Sequence, residues 1–151
     1  MRIRPLLPTD IPPLATLMAT TPLWQRYGVT TGSATQRLQD GLAQGATIAV
    51  AELQDAPVGF VWYVERGAFQ QGGYIMLIGV DSHLRSQGIG QALMYHAETQ
   101  LFTKATSIFL LVSDFNHAAQ RFYERLGYQQ IGALPDFVVP GVTEFIFYKH
   151  R

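Results

Sequence analysis

The chain predicts a mixed α/β fold, and three observations carry that expectation. Runs of β-branched and aromatic residues of strand length alternate with segments of helical period. Their order (two strands, a third, a helix, a strand, a helix, then two strands) gives a sheet with helices on its faces. At 151 residues, 48% hydrophobic and 15% charged, the chain is long enough for one domain with a real core and too short for two of ordinary size.

Residues 2 to 6 read as a first strand ended by Pro8. Thr9-Asp10 offers a cap for a helix over 11–19, where Pro12 and Pro13 are tolerable in the first turn and Leu14, Leu17 and Met18 face a core. The segment 20–32 shows no period and reads as a loop or broken helix. Ser33 is expected to cap a second helix that Gly45 stops. Thr47 to Leu53 and Val58 to Glu65 read as strands joined by a hairpin-like turn at 54–57, and 67–73 as a glycine-bearing connection.

A strand over 74–80 leads through a polar turn to a helix whose buried face is Ile89, Ala92, Leu93, Ala97 and Leu101. Thr106 to Ser113 looks like a strand covered on both sides. Asp114 or Asn116 caps the next helix and Gly127 ends it. Strands over 128–133 and 144–149 follow, and Pro135 and Pro140 keep the stretch between them out of a central strand. No repeat or linker interrupts this order.

Several function classes fall away on composition. Eleven basic side chains balance eleven acidic ones, so there is no electrostatic footprint for nucleic acid or an anionic membrane. The absence of cysteine removes disulfides, thiolate metal sites and cysteine nucleophiles. No apolar run approaches the roughly 18 residues of a spanning helix, and the first residues lack the apolar core of a signal peptide; a cytoplasmic protein without a metal is expected.

The stretch from Tyr74 to Leu101 organises the rest. A helix start leaves its first N–H groups unpaired, the helix dipole adds roughly half a positive charge there, and Gly88 and Gly90 remove the Cβ atoms that would hold a ligand off. Phosphate is the natural ligand. A nucleotide P-loop is excluded because Gln91-Ala92 stands where Lys and a hydroxyl belong, and a dinucleotide fingerprint because Leu93 replaces its third glycine.

What the residues do match is RxxGxG, as Arg85, Gly88 and Gly90, between a strand and a helix. Downstream stands Asn116-His-Ala-Ala-Gln-Arg-Phe-Tyr-Glu-Arg-Leu-Gly-Tyr128. Together these two signatures resemble the GNAT superfamily of acyl-CoA-dependent N-acyltransferases, over nearly the whole chain. The resemblance implies a mostly antiparallel, twisted sheet of six to seven strands flanked by about four helices, with acetyl-CoA as co-substrate. Ser86 departs from the glycine that often follows the Arg, and Ser82 from a frequent proline.

Attack of an amine on a thioester needs a held donor, a stabilised oxyanion and a proton for the thiolate. By resemblance, Arg85, Ser86, Gln87, Gly88, Ile89 and Gly90 grip the pyrophosphate. The backbone of Ile78, Gly79 and Val80 pairs with the pantetheine arm and faces the thioester carbonyl. Asn116 bonds the arm and Tyr123 donates the proton; seven residues apart, these two share a helix face about 10 Å along the axis. A phenol of pKa near 10 suits a thiolate of similar basicity.

For the base, Asp81, His83 and Glu144 compete with Glu65, which is the expected one. The acceptor side is expected at Trp24, Tyr27, Trp62 and Phe137, with Tyr63 and Phe69 also available. The favoured activity is acetylation of a primary amine on an unidentified acceptor, with a small-molecule amine or a peptide as partner and room for a homodimer. The alternatives are N-terminal acetylation of proteins, and a CoA-binding sensor without turnover.

Overall fold

A computed structural model describes every residue from Met1 to Arg151. In chain order its elements are β1 (Arg2–Pro5), α1 (Ile11–Thr20), α2 (Pro22–Arg26), α3 (Thr31–Ala43), β2 (Thr47–Leu53), β3 (Ala56–Ala68), β4 (Gly72–Val80), α4 (Ile89–Leu101), β5 (Ser107–Ser113), α5 (His117–Arg125), β6 (Gln129–Pro135) and β7 (Thr143–His150). The strands form a 7-stranded sheet in the order β1-β2-β3-β4-β5-β7-β6. Neighbours β1–β2, β2–β3, β5–β7 and β6–β7 run antiparallel, while β4 and β5 pair in parallel. Contacts divide the chain into two compact units: Met1–Tyr63 with Leu77–Glu98, and Val64–Met76 with Thr99–Arg151.

In the first unit, alternation along β3 sorts the helices onto opposite faces. A Cβ on Gly59 would meet Leu93 of α4, whereas Phe60, the next residue, stacks on Trp24 of α2 with ring centroids 6.0 Å apart. Trp62 continues that second face beneath Gly41 of α3, where a Cβ would lie 2.4 Å from the indole. Tyr63 returns to α4 and packs on His96. Leu14, Ala15, Leu38, Val50, Phe60, Val61, Leu93 and Met94 close this core.

Several local expectations change here. The irregular segment contains a one-turn helix, α2, so the helices number five rather than about four. Thr30, not Ser33, is the N-cap of α3: its hydroxyl accepts the Ser33 N–H while Ser33 Oγ accepts the Thr30 N–H, a reciprocal capping box. Ser33 looked like the cap because either partner of that box is a hydroxyl residue.

Asp10 does not cap α1 either. Its carboxylate turns back to accept the Leu7 N–H at 2.8 Å and both Nη atoms of Arg4 at 2.7 and 2.9 Å. Arg4 also donates to Glu52 on β2 at 2.7 Å, which ties β1, its neighbour and the start of α1 together. Burial pushes the Asp10 carboxyl up, but the bonds from Arg4 and Leu7 outweigh it and hold the pKa below the usual aspartate value.

Both β3 hairpins turn through a left-handed pair, Gln54-Asp55 (φ 52 and 62) in a two-residue connection and Phe69-Gln70 (φ 56 and 62) in the three-residue connection 69–71. Such turns match the twist of the flanking strands, and they lengthen β3 at both ends beyond the expected 58–65. Gly67 and Gly72 are therefore strand residues rather than a connection. A Cβ on Gly67 would lie 2.8 Å from Tyr74 Cβ, and one on Gly72 would lie 2.7 Å from the Phe109 ring.

The second unit buries Ile108, Leu110 and Val112 of β5 with Phe147 of β7 and Leu101, while Phe109 and Leu111 stay half-exposed. β5 thus alternates, and is not covered equally on both faces. Phe109 sits between Phe69 and Tyr148, at centroid distances of 5.8 and 5.7 Å. The β4–β5 ladder joins Gly73–Ile75 to Ile108–Leu110, and β4 continues to Val80 past that ladder.

Asp10 gives a direct test of what fixes the first helix. A carboxylate whose folded pKa is depressed contributes stability above its unfolded value and loses it as pH falls through the folded one. Asp10→Asn should cost about 1 to 3 kcal/mol in urea unfolding at pH 7, since it leaves the half-buried Arg4 guanidinium with Glu52 as its remaining carboxylate. The gap between parent and variant should close as pH falls below the ordinary aspartate value of 3.8. A gap that does not change with pH would contradict the ion-pair assignment.

Candidate functional site

The end of β4 is built around a glycine. A Cβ on Gly79 would stand 2.6 Å from the Trp24 ring and 3.2 Å from Leu17, and the Gly79 carbonyl lies 2.8 Å from where a Cβ on Gly59 would be. Gly79 therefore admits the indole on one side, and Gly59 admits the Gly79 carbonyl on the other. Ile78 and Val80, on either side of it, are half-buried.

Beyond β4 the chain turns through Ser82–Leu84, fixed by Asp81. The Asp81 carboxylate accepts the His83 N–H at 2.9 Å, its carbonyl accepts the Leu84 N–H, and its own N–H reaches the Val58 carbonyl at 2.8 Å. That turn hands the chain to Arg85, which is extended (φ −65, ψ 157).

Residues 85 to 88 are all exposed, and two of them have left-handed backbone: Ser86 at φ 64 and Gly88 at φ 83. Alternating hand swings successive N–H groups toward a common side, as anion-binding nests do. A Cβ on Gly88 would meet nothing within 4 Å, so its side of the loop is open. The bond that opens α4 runs from the Ala92 N–H to the Gly88 carbonyl at 3.0 Å. The N–H groups of Ile89, Gly90 and Gln91 precede that bond, so the helix itself does not pair them. No acidic residue occupies the first turn of α4, and Ile89, only 4% exposed, pins the turn to the core.

Ser86 carries a cost that a glycine would avoid: a left-handed residue with a Cβ is disfavoured by roughly 1 to 2 kcal/mol. Gly88 meets the same demand without penalty.

The expected acceptor-side aromatics are dispersed. Trp24 touches Gly79, so an expected acceptor residue and an expected donor-strand residue are in contact within the first unit. Trp62 is 8% exposed and spends its ring under Gly41, with Arg37 over its face at 5.9 Å. Tyr27 is half-buried at the end of α2. Phe137 lies in the second unit, 60% exposed in the loop after β6.

Asn116 and Tyr123 belong to α5 in the second unit. Asn116 is its N-cap: Oδ1 accepts the Ala119 N–H at 3.2 Å, and the Asn116 N–H reaches the Ser113 carbonyl at 3.0 Å. Tyr123 is buried between the rings of Phe122 and Tyr128, at centroid distances of 5.2 and 5.9 Å. Burial pushes the pKa of its phenol well above the ordinary 10.0, so Tyr123 is a weaker acid than the sequence suggested.

Among the expected bases, Glu65 is exposed and faces Lys104 across 3.3 Å, a solvated pair that orients little. Asp81 is spent on the turn. Glu144 is buried on β7 opposite Ser113. One residue beside the Asn/Tyr signature escaped notice: Gln120, whose side chain reaches back over the start of α5. A lone helical glutamine gives no sequence signal of such a role.

The geometry can be set against known proteins. The Acetyltransferase (GNAT) family model matches residues 15–128. The N-acetylaspartate synthetase of Danio rerio is 31% identical over 114 residues, which span 71% of this chain and 39% of that protein. Blasticidin-S acetyltransferase of Streptomyces morookaense is 30% identical over 104 residues, 69% of this chain and 73% of its own. The crystal structure of aminoglycoside 6'-N-acetyltransferase complexed with coenzyme A superposes with a TM-score of 0.76 at 19% identity, covering 99% of this chain and 97% of that one. An exposed nest of amides at the head of α4, the Asn/Tyr helix α5 and the extent of these matches lead to one conclusion: the chain belongs to the GNAT acetyltransferase family, a family of transferases.

Proposed function

We propose that the protein transfers the acetyl group of acetyl-CoA to a primary amine. The observation that carries this reading is the run of N–H groups at 86–91 that precedes the first bond of α4, on a loop exposed at 85–88, open at Gly88 and with no acidic residue in the first turn of the helix. These residues suit a diphosphate: Arg85 adds charge, and the amides add direction. Acetyl-CoA, when bound, supplies an activated thioester; the chain's own residues do the rest.

Backbone groups of Ile78, Gly79 and Val80 hold the pantetheine arm beside the acyl carbonyl. Asn116, although it caps α5, keeps an amide group to hydrogen-bond that arm. Tyr123 holds its proton throughout the neutral range because it is buried, and gives it up to the departing thiolate. Glu65 receives the amine's proton through water. The name of blasticidin-S acetyltransferase, 30% identical, supports a small-molecule amine as acceptor.

Acetyl-CoA at 100 times its Kd should stabilise the protein by about 2.7 kcal/mol through linkage. Arg85→Glu should erase most of the accompanying rise in Tm; an undiminished rise would remove the loop from the site. Tyr123→Phe should slow turnover by about 100-fold while acetyl-CoA affinity stays near that of the parent. Turnover equal to the parent's would end the proton-donor role.

A further inference from the structure

We propose that Gln120 is a positioning residue that sets where the Tyr123 hydroxyl points; this rests on the proton-donor reading of Tyr123 given above. The Gln120 side chain donates from Nε2 to two backbone carbonyls, Ser113 and Asp114, each at 3.1 Å. Two acceptors side by side fix the amide's orientation, since the reverse would set its oxygen against both carbonyls.

The corner that receives these bonds is itself held. Ser113 is buried and pairs across the ladder with Glu144 of β7. Asp114 exchanges bonds with Thr143 at the start of β7: its N–H donates to the Thr143 carbonyl at 2.9 Å, and its carboxylate accepts the Thr143 N–H at 3.3 Å. Gln120 therefore ties the first turn of α5 to the end of two sheet strands, rather than to solvent or to its own helix.

Tyr123 follows three residues later, and residues three apart neighbour each other on a helix surface. The N-cap bond of Asn116, at 3.2 Å, satisfies a donor within the helix but makes no connection to the sheet. With Gln120 silent, α5 keeps its cap and packing and is held at the sheet corner only by the Asn116 N–H on the Ser113 carbonyl, so Tyr123 gains freedom to shift. A displacement of about 1 Å at a reacting group is enough to cost a large factor in rate.

The test is a double-mutant cycle on the full chain, measured as thiol release from acetyl-CoA with one amine acceptor. Gln120→Met, which keeps shape and removes both donors, should lower kcat about tenfold with KM for acetyl-CoA within about twofold. Gln120→Glu should lose as much, because its carboxylate cannot donate, and it decides the matter if the Met variant does not fold. Adding either change to Tyr123→Phe should cost nothing further, because both act through one hydroxyl.

Full activity of both Gln120 variants, with Tyr123→Phe impaired, would overturn the positioning role and leave the proton donor standing. Losses that multiply in the double variant would show that Gln120 acts on stability or binding instead, and would overturn it too. A fully active Tyr123→Phe would bring down the donor and, with it, this inference.

Discussion

The chain leaves a row of backbone N–H groups unpaired at the head of α4, and the elements around it serve to keep that row open and in place. Helix geometry creates the vacancy and cannot fill it. Asp81 fixes the turn upstream by spending its carboxylate, carbonyl and N–H on neighbouring backbone. Ile89 anchors the downstream side in the core. Between them Ser86 and Gly88 take left-handed backbone, and Ser86 does so against its own steric preference. Strain held at one exposed loop by two rigid flanks is what the proposed diphosphate grip would require before its ligand arrives.

Small residues perform a different task along β3 and β4. Gly59, Gly67, Gly72 and Gly79 each stand where a Cβ would collide with backbone or a neighbouring side chain. Gly67 and Gly72 let strand neighbours and the Phe109 ring come close. Gly59 and Gly79 act at the strand that the family resemblance assigns to the thioester: Gly59 admits the Gly79 carbonyl, and Gly79 admits Trp24, which brings α2 against that strand.

Much of this was legible in the sequence. The loop 85–90, the helix after it, the Asn-to-Tyr helix and the Gly127 stop follow from glycine spacing, capping residues and period, which are local signals. The misread parts depend on contacts between residues distant in sequence. Asp10 looks like a cap until Arg4, itself held by Glu52, is folded against it, and the left-handed pair Phe69-Gln70 makes a glycine-free turn inside a stretch read as a connection. The cover of Trp62 is likewise distant, since Gly41 lies far upstream in sequence on α3. Gln120 was invisible for the same reason, since its meaning lies in two carbonyls at a corner held by β7.

The central claim is that the amides from Ser86 to Gln91 are the grip on coenzyme A. Titrating coenzyme A into 15N-labelled protein and following each backbone N–H resonance tests it at the atoms concerned. The account requires the largest saturable shifts at residues 86–91, moving downfield as the donors acquire an anionic acceptor. Saturable binding with those resonances unmoved and the shifts gathered elsewhere would contradict it.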